Sequence, residues 1–129
     1  MPAPNVKFAD IVMYLEAIAD KGKRDAGGAN HDRFWNGVTR DQFVAGTVPN
    51  EDCNGAPIPI VNSDPAQCAL FQVLVNTPVG WCNKGQMPRG GGPWITDAGY
   101  QVTLSNAQVI TGADIRTNLE WWLRNGMPA

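Results

Sequence analysis

Phe8, Ile11, Val12, Leu15, Ile18 and Ala19 recur at three- and four-residue steps near the start of the chain. The spacing predicts an amphipathic helix, capped by Asn5 and running from Val6 to about Asp20, with Gly22 and Gly27-Gly28 ending it. Phe34-Trp35-Asn36-Gly37 reads as a helical turn or tight loop with buried aromatics. Thr39-Arg40-Asp41-Gln42 has the pattern of a capping box, opening a short helix through Phe43 and Val44 that stops at Gly46. From Thr47 to Pro59 the chain turns to Pro, Asn, Asp and Gly, which predicts a loop, with Pro57 to Val61 extended. Ser63-Asp64-Pro65 marks a helix start, and Ala69, Leu70, Val73 and Leu74 carry its apolar face to about Val75. Val79 to Pro93 is glycine-rich and leaves no room for regular structure. Tyr100, Val102 and Leu104 alternate with polar residues before a turn at Ser105-Asn106 and then Val109 and Ile110, a β-hairpin pattern. Thr111-Gly112-Ala113-Asp114 opens a last helix with Ile115, Leu119, Trp122 and Leu123 on one face and Gly126 as its stop.

A chain of 129 residues suits a single domain spanning 1–129 with a real core. The 43% hydrophobic and 17% charged fractions are ordinary for a soluble globular protein. A net charge of -2 and scattered basic residues argue against a nucleic-acid partner. No apolar run approaches the ~18 residues of a membrane span. No charged-then-apolar leader pattern opens the chain, so the expected location is cytoplasmic if the chain is complete, and periplasmic or secreted if a leader was trimmed. Cys53, Cys68 and Cys82 form no CxxC pair, which argues against zinc. One disulfide with a free thiol, or three buried thiols, both agree with the sequence.

Chemistry centres on Gly27-Gly28-Ala29-Asn30-His31-Asp32-Arg33-Phe34-Trp35, which holds the only histidine. A long first helix, a histidine loop, short middle helices, the Gln86-Met87-Pro88 loop and a closing helix follow in order. That order resembles the class I cytochrome c fold. Asn62 to Phe71 is similar to the helix start before that family's methionine loop, and Ile110 to Pro128 resembles its closing helix and glycine-containing tail. The resemblance covers roughly half the chain and implies a mainly α, cytochrome c-like helical domain with a small β-hairpin inserted before the last helix. It also implies His31 and Met87 as the two axial ligands if haem is bound. Both cysteines of the family's CxxCH motif are absent before His31, which excludes covalent attachment there. The resemblance thus points to a haem-free relative with no cofactor, its terminal helices packing through Ile11, Leu15, Ile18, Ile115, Leu119 and Trp122.

A site that lost a large flat ring must be refilled, and Trp35, Trp81 and Trp94 lie in the loops that would flank it. Their indole N–H groups then need acceptors, expected among loop carbonyls. Catalysis finds little support. His31 and Asp32 are sequence neighbours, Ser63 and Ser105 read as cap and turn residues, and Gly90-Gly91-Gly92 does not follow a strand. The expected function is a haem-free, non-enzymatic binding or interaction module, using Trp81, Trp94 and Trp35 toward a protein partner or small ligand. Two alternatives stand beside it: an electron carrier with non-covalent haem on His31 and Met87, and a carbohydrate-binding module using the loop tryptophans.

Overall fold

The computed structural model describes residues 6–22, 34–75, 87 and 93–129. The first helix, α1, spans Phe8–Lys21, with Lys7 rather than Asn5 at its N-cap. The Asp10 carboxylate sets that start by accepting from the Lys7 backbone N–H at 2.9 Å. Ile11, Tyr14, Leu15, Ala17 and Ile18 form its buried face. After a turn at residues 34–37, helix α2 covers Arg40–Ala45. Its capping box is formed from both sides: Thr39 Oγ1 accepts from Gln42 N at 3.1 Å, and Gln42 Oε1 accepts from Thr39 N at 2.9 Å.

The segment expected to be a loop is instead an antiparallel hairpin, with β1 at Thr47–Cys53 and β2 at Ala56–Pro59. Asn54 and Gly55 have φ of 53° and 84°, the left-handed pair that a two-residue hairpin turn requires. Pro57 and Pro59 lie in a two-stranded ribbon, where a missing N–H faces away from the partner strand without cost to the ladder. Pro65–Gln67 forms a 3-10 turn, capped by Asp64 Oδ1 accepting from Ala66 N at 3.0 Å. Helix α3, Ala69–Val75, is separated from it at Cys68, so the single helix expected from Ser63 is broken. The break has a cause in packing: Leu70 N, in the first turn of α3, donates to Ile60 O at 3.1 Å and so docks the start of the helix on the chain that follows β2.

A second hairpin pairs β3, Gln101–Thr103, with β4, Val109–Thr111, and buries Val102 and Ile110 on one face. Helix α4, Gly112–Arg124, starts on Thr111 Oγ1, which accepts from Asp114 N at 3.1 Å. Its end is a Schellman motif: Gly126 takes φ 84° and Met127 N donates back to Trp122 O at 2.9 Å. The tail then folds onto the start of α1, where Pro128 O accepts from Phe8 N at 3.0 Å and from Trp122 Nε1 at 2.9 Å. Arg40 secures it, donating to Met127 O and Gly126 O at 2.6 and 2.9 Å.

The terminal helices touch. Asn118 Nδ2 of α4 donates to Tyr14 OH of α1 at 3.0 Å, and the Phe8 and Trp122 ring centroids lie 6.3 Å apart. Phe8, Phe34, Phe43 and Trp122 build one aromatic end of the core, with Trp122 wholly buried. Yet the described residues hold four α-helices and two separate two-stranded antiparallel sheets, a mixed α/β architecture. This corrects the mainly α, cytochrome c-like helical domain expected from the sequence. An Asn-Gly turn makes a ribbon out of a stretch that composition had marked as irregular. No helix among the described residues is long and apolar enough to cross a membrane.

Candidate functional site

One flank of α1 faces the tip of the β3–β4 hairpin and leaves a groove of about 270 Å³ between them. Met13, Glu16, Ala17 and Asp20 stand at helical steps of three, one and three residues, so they form a single stripe at the edge of the buried face, which Ala17 shares. Val12 joins them, and Thr103, Leu104 and Ser105 supply the opposite wall. Val12, Met13, Ala17 and Leu104 make an apolar floor, and Glu16, Asp20, Thr103 and Ser105 give the rim hydrogen-bonding groups. Ser105, read from sequence as a turn residue, borders the groove through its position at the hairpin turn.

Trp35 bears directly on this groove. Its ring is buried, and its indole Nε1 donates to Glu16 Oε1 at 2.6 Å across nineteen positions of sequence. A charge-assisted bond of that length orients the Glu16 carboxylate on the rim. The acceptor is thus a helix carboxylate, where a loop carbonyl had been expected. With its ring buried, Trp35 offers no exposed contact surface, in contrast to the sequence expectation.

The remaining predicted residues are not gathered there. Trp94 is half-buried at a turn where its backbone N donates to Asp97 Oδ2 at 2.9 Å, and Asp97 N returns a bond to Trp94 O at 2.9 Å. Met87 is half-buried, packs against the core, and donates its backbone N–H to Val73 O at 2.7 Å. His31 and Trp81 lie outside the described residues. Among the described residues no group of three or more His, Cys, Asp or Glu side chains is placed to hold a metal ion. Val12, Met13, Ala17 and Leu104 escaped sequence reasoning as site residues. The available signal was the second stripe on α1, in which Met13 and two acids flank the apolar one.

Cys53 is disulfide-bonded, whereas Cys68 is a free thiol with no exposed surface. Burial pushes the Cys68 thiol above its ordinary range, so it stays protonated and inert at neutral pH. Tyr100, just before β3, presents the opposite case of a polar group enclosed without compensation. Its hydroxyl is buried with no hydrogen-bond partner among the described residues, while Lys21 Nζ sits 5.3 Å from the ring centroid. Burial first, and the Asp97 carboxylate second, push its phenol up to about 12.

The sign of the resulting pH dependence follows from proton counting. The folded chain holds the Tyr100 proton more tightly than the unfolded chain, so its contribution is full below the ordinary tyrosine pKa of about 10. It is lost as pH rises from there toward the folded value of about 12. Tyr100→Phe is expected to be neutral or stabilising by about 1 kcal/mol at neutral pH, because it removes an unpaired hydroxyl without changing the ring. The variant should also lose less stability than wild type over that alkaline interval in urea titrations. A Tyr100→Phe chain less stable at neutral pH would show that the hydroxyl is bonded after all.

Comparison of the chain with protein-family models, with curated proteins and with solved structures finds no match.

Proposed function

We propose that this chain is a haem-free, non-enzymatic binding domain, and that its ligand is a small molecule with an apolar body and hydrogen-bond-donating ends. The observation that carries this reading is the α1–hairpin groove, with an apolar floor, an acceptor-rich rim and one carboxylate fixed by a buried indole. Small-molecule sites combine those features, a mostly apolar concavity with a few placed polar groups. The volume of about 270 Å³ lies just below the usual range of about 300–1,000 Å³, which limits the occupant to fragment size. The Cys53 disulfide supports a working place in an oxidising compartment.

The test is a thermal-shift screen with small amphiphilic amines and alcohols, read on wild type and on Met13→Asp. Binders should raise the melting temperature of wild type, since a ligand held only by the folded state stabilises it by mass action. Met13 packs against the core from a half-buried position, so Met13→Asp should lower the unliganded melting temperature and also lose the ligand-induced rise measured from its own baseline. A screen in which no compound shifts wild type, or in which Met13→Asp responds equally, would remove the groove as the site.

A further inference from the structure

Three Asn-Gly pairs punctuate the chain, Asn36-Gly37, Asn54-Gly55 and Asn125-Gly126. Their glycines are matched: φ is 74°, 84° and 84°, and the Cβ direction of each faces open space. All three asparagines are exposed. Such a pair is open to an intramolecular reaction, because a glycine nitrogen carries no neighbouring Cβ to shield it. What distinguishes the three is how the reacting groups are held.

We propose that Asn36 is the site of spontaneous modification in this protein, and that hydrogen bonds protect the other two asparagines. In the reaction the Gly37 backbone nitrogen attacks Cγ of Asn36. The new C–N bond closes a five-membered imide, the Cγ–Nδ2 bond breaks, and Nδ2 departs as ammonia with the proton from the Gly37 nitrogen. Water then opens the imide at either carbonyl, leaving aspartate or isoaspartate at position 36. No oxidant, metal or second protein is needed.

At Asn54 the attacking group is guarded. The Gly55 N–H donates to Asp52 Oδ2 at 2.9 Å, and the carboxylate charge opposes loss of the proton from that nitrogen. The pair also forms the centre of the β1–β2 turn, closed by the pairing of Cys53 with Ala56. At Asn125 the leaving side is guarded instead. Asn125 Nδ2 donates to Trp121 O at 2.7 Å, holding the side-chain amide back on α4, and the Arg40 bond to Gly126 O fixes the next peptide. Among the described residues Asn36 has neither restraint: none of them forms a hydrogen bond to its side chain or to the Gly37 nitrogen. Conversion there places a new negative charge beside Trp35, the residue that orients Glu16.

The experiment is incubation of the folded chain in mildly alkaline buffer, followed by digestion after lysine and arginine and mass analysis. Cleavage at Arg33, Arg40 and Arg124 places the three asparagines on different peptides. The peptide of residues 34–40 should gain the asparagine-to-aspartate mass about tenfold sooner than the other two, the scale of one hydrogen bond to a charged or well-aligned acceptor. In Asp52→Asn the Asn54 peptide should gain on Asn36 by about the same factor. Circular dichroism establishes that this exposed-turn variant is folded. Conversion of Asn54 or Asn125 at or before the rate of Asn36 in wild type would overturn the assignment. An Asn54 rate unchanged in folded Asp52→Asn would overturn the guarding role of Asp52.

Discussion

Gly112→Ala is expected to lower the stability of the fold by about 3 kcal/mol, although alanine is the better helix former. A Cβ at this position would stand 2.0 Å from the Ile95 carbonyl oxygen, 2.8 Å from its carbon and 3.0 Å from its Cα. All three are backbone atoms, so no rotamer change relieves the overlap. The gain in helix propensity, at most about 1 kcal/mol, is too small to offset it. Gly112 N also donates to Tyr100 O at 3.0 Å, and moving α4 away from Ile95 would stretch that bond. Urea denaturation of Gly112→Ala beside the exposed-site control Ala113→Gly makes the comparison. The control should lose no more than about 1 kcal/mol. A Gly112→Ala chain as stable as wild type would mean that the 93–100 segment does not pack against the start of α4.

Trp122→Ala should cost about 3–5 kcal/mol, the range for truncating a buried large aromatic. The ring is wholly enclosed and faces Phe8 and Phe43, with centroids at 6.3 and 6.4 Å. The loss has a polar part besides the cavity. Trp122 Nε1 supplies one of the two bonds on Pro128 O, so its removal loosens the tail as well as the core. Trp122→Phe separates the parts, because it keeps most of the ring contact and deletes only the indole donor. It should fall well short of the alanine variant in the same urea titration. Equal losses for the two would place the whole effect on the hydrogen bond and refute the packing account.

Local signals in the sequence were read correctly where the residues that make an element also lie next to one another. The Thr39–Gln42 capping box and the alternation from Tyr100 to Ile110 are of this kind, and both form as expected. The hairpin at 47–59 is hidden by its composition, because proline, asparagine and glycine are as frequent in loops as in the turns and edge strands of a ribbon. Asn54-Gly55 between extended residues is a turn of known geometry, and that dipeptide held the needed information. The break at Cys68 was illegible for another reason. It depends on where Leu70 meets Ile60, a contact between strands of chain that no local pattern encodes.

The candidate site divides along the same line. Trp35 stood out as a loop tryptophan, yet its partner Glu16 lies on a different element and is brought close only by the fold. The floor of the groove depends on the hairpin tip settling over α1, so Leu104 and Ser105 had no sequence signature as its wall. Gly112 is similar: in sequence it reads only as part of the opening of the last helix, while its true constraint is the Ile95 backbone. Resemblance to a helical family came from element order, which two quite different packings can share.

The backbone bond between residues 8 and 128 carries an implication for synthesis. A ribosome adds α1 before α4, so the contacts of α1 with Trp35 and Phe43 can form first, while its bond to Asn118 waits for about a hundred further residues. Contacts that close so long a stretch of chain slow folding, because the intervening residues must be ordered before the contact contributes.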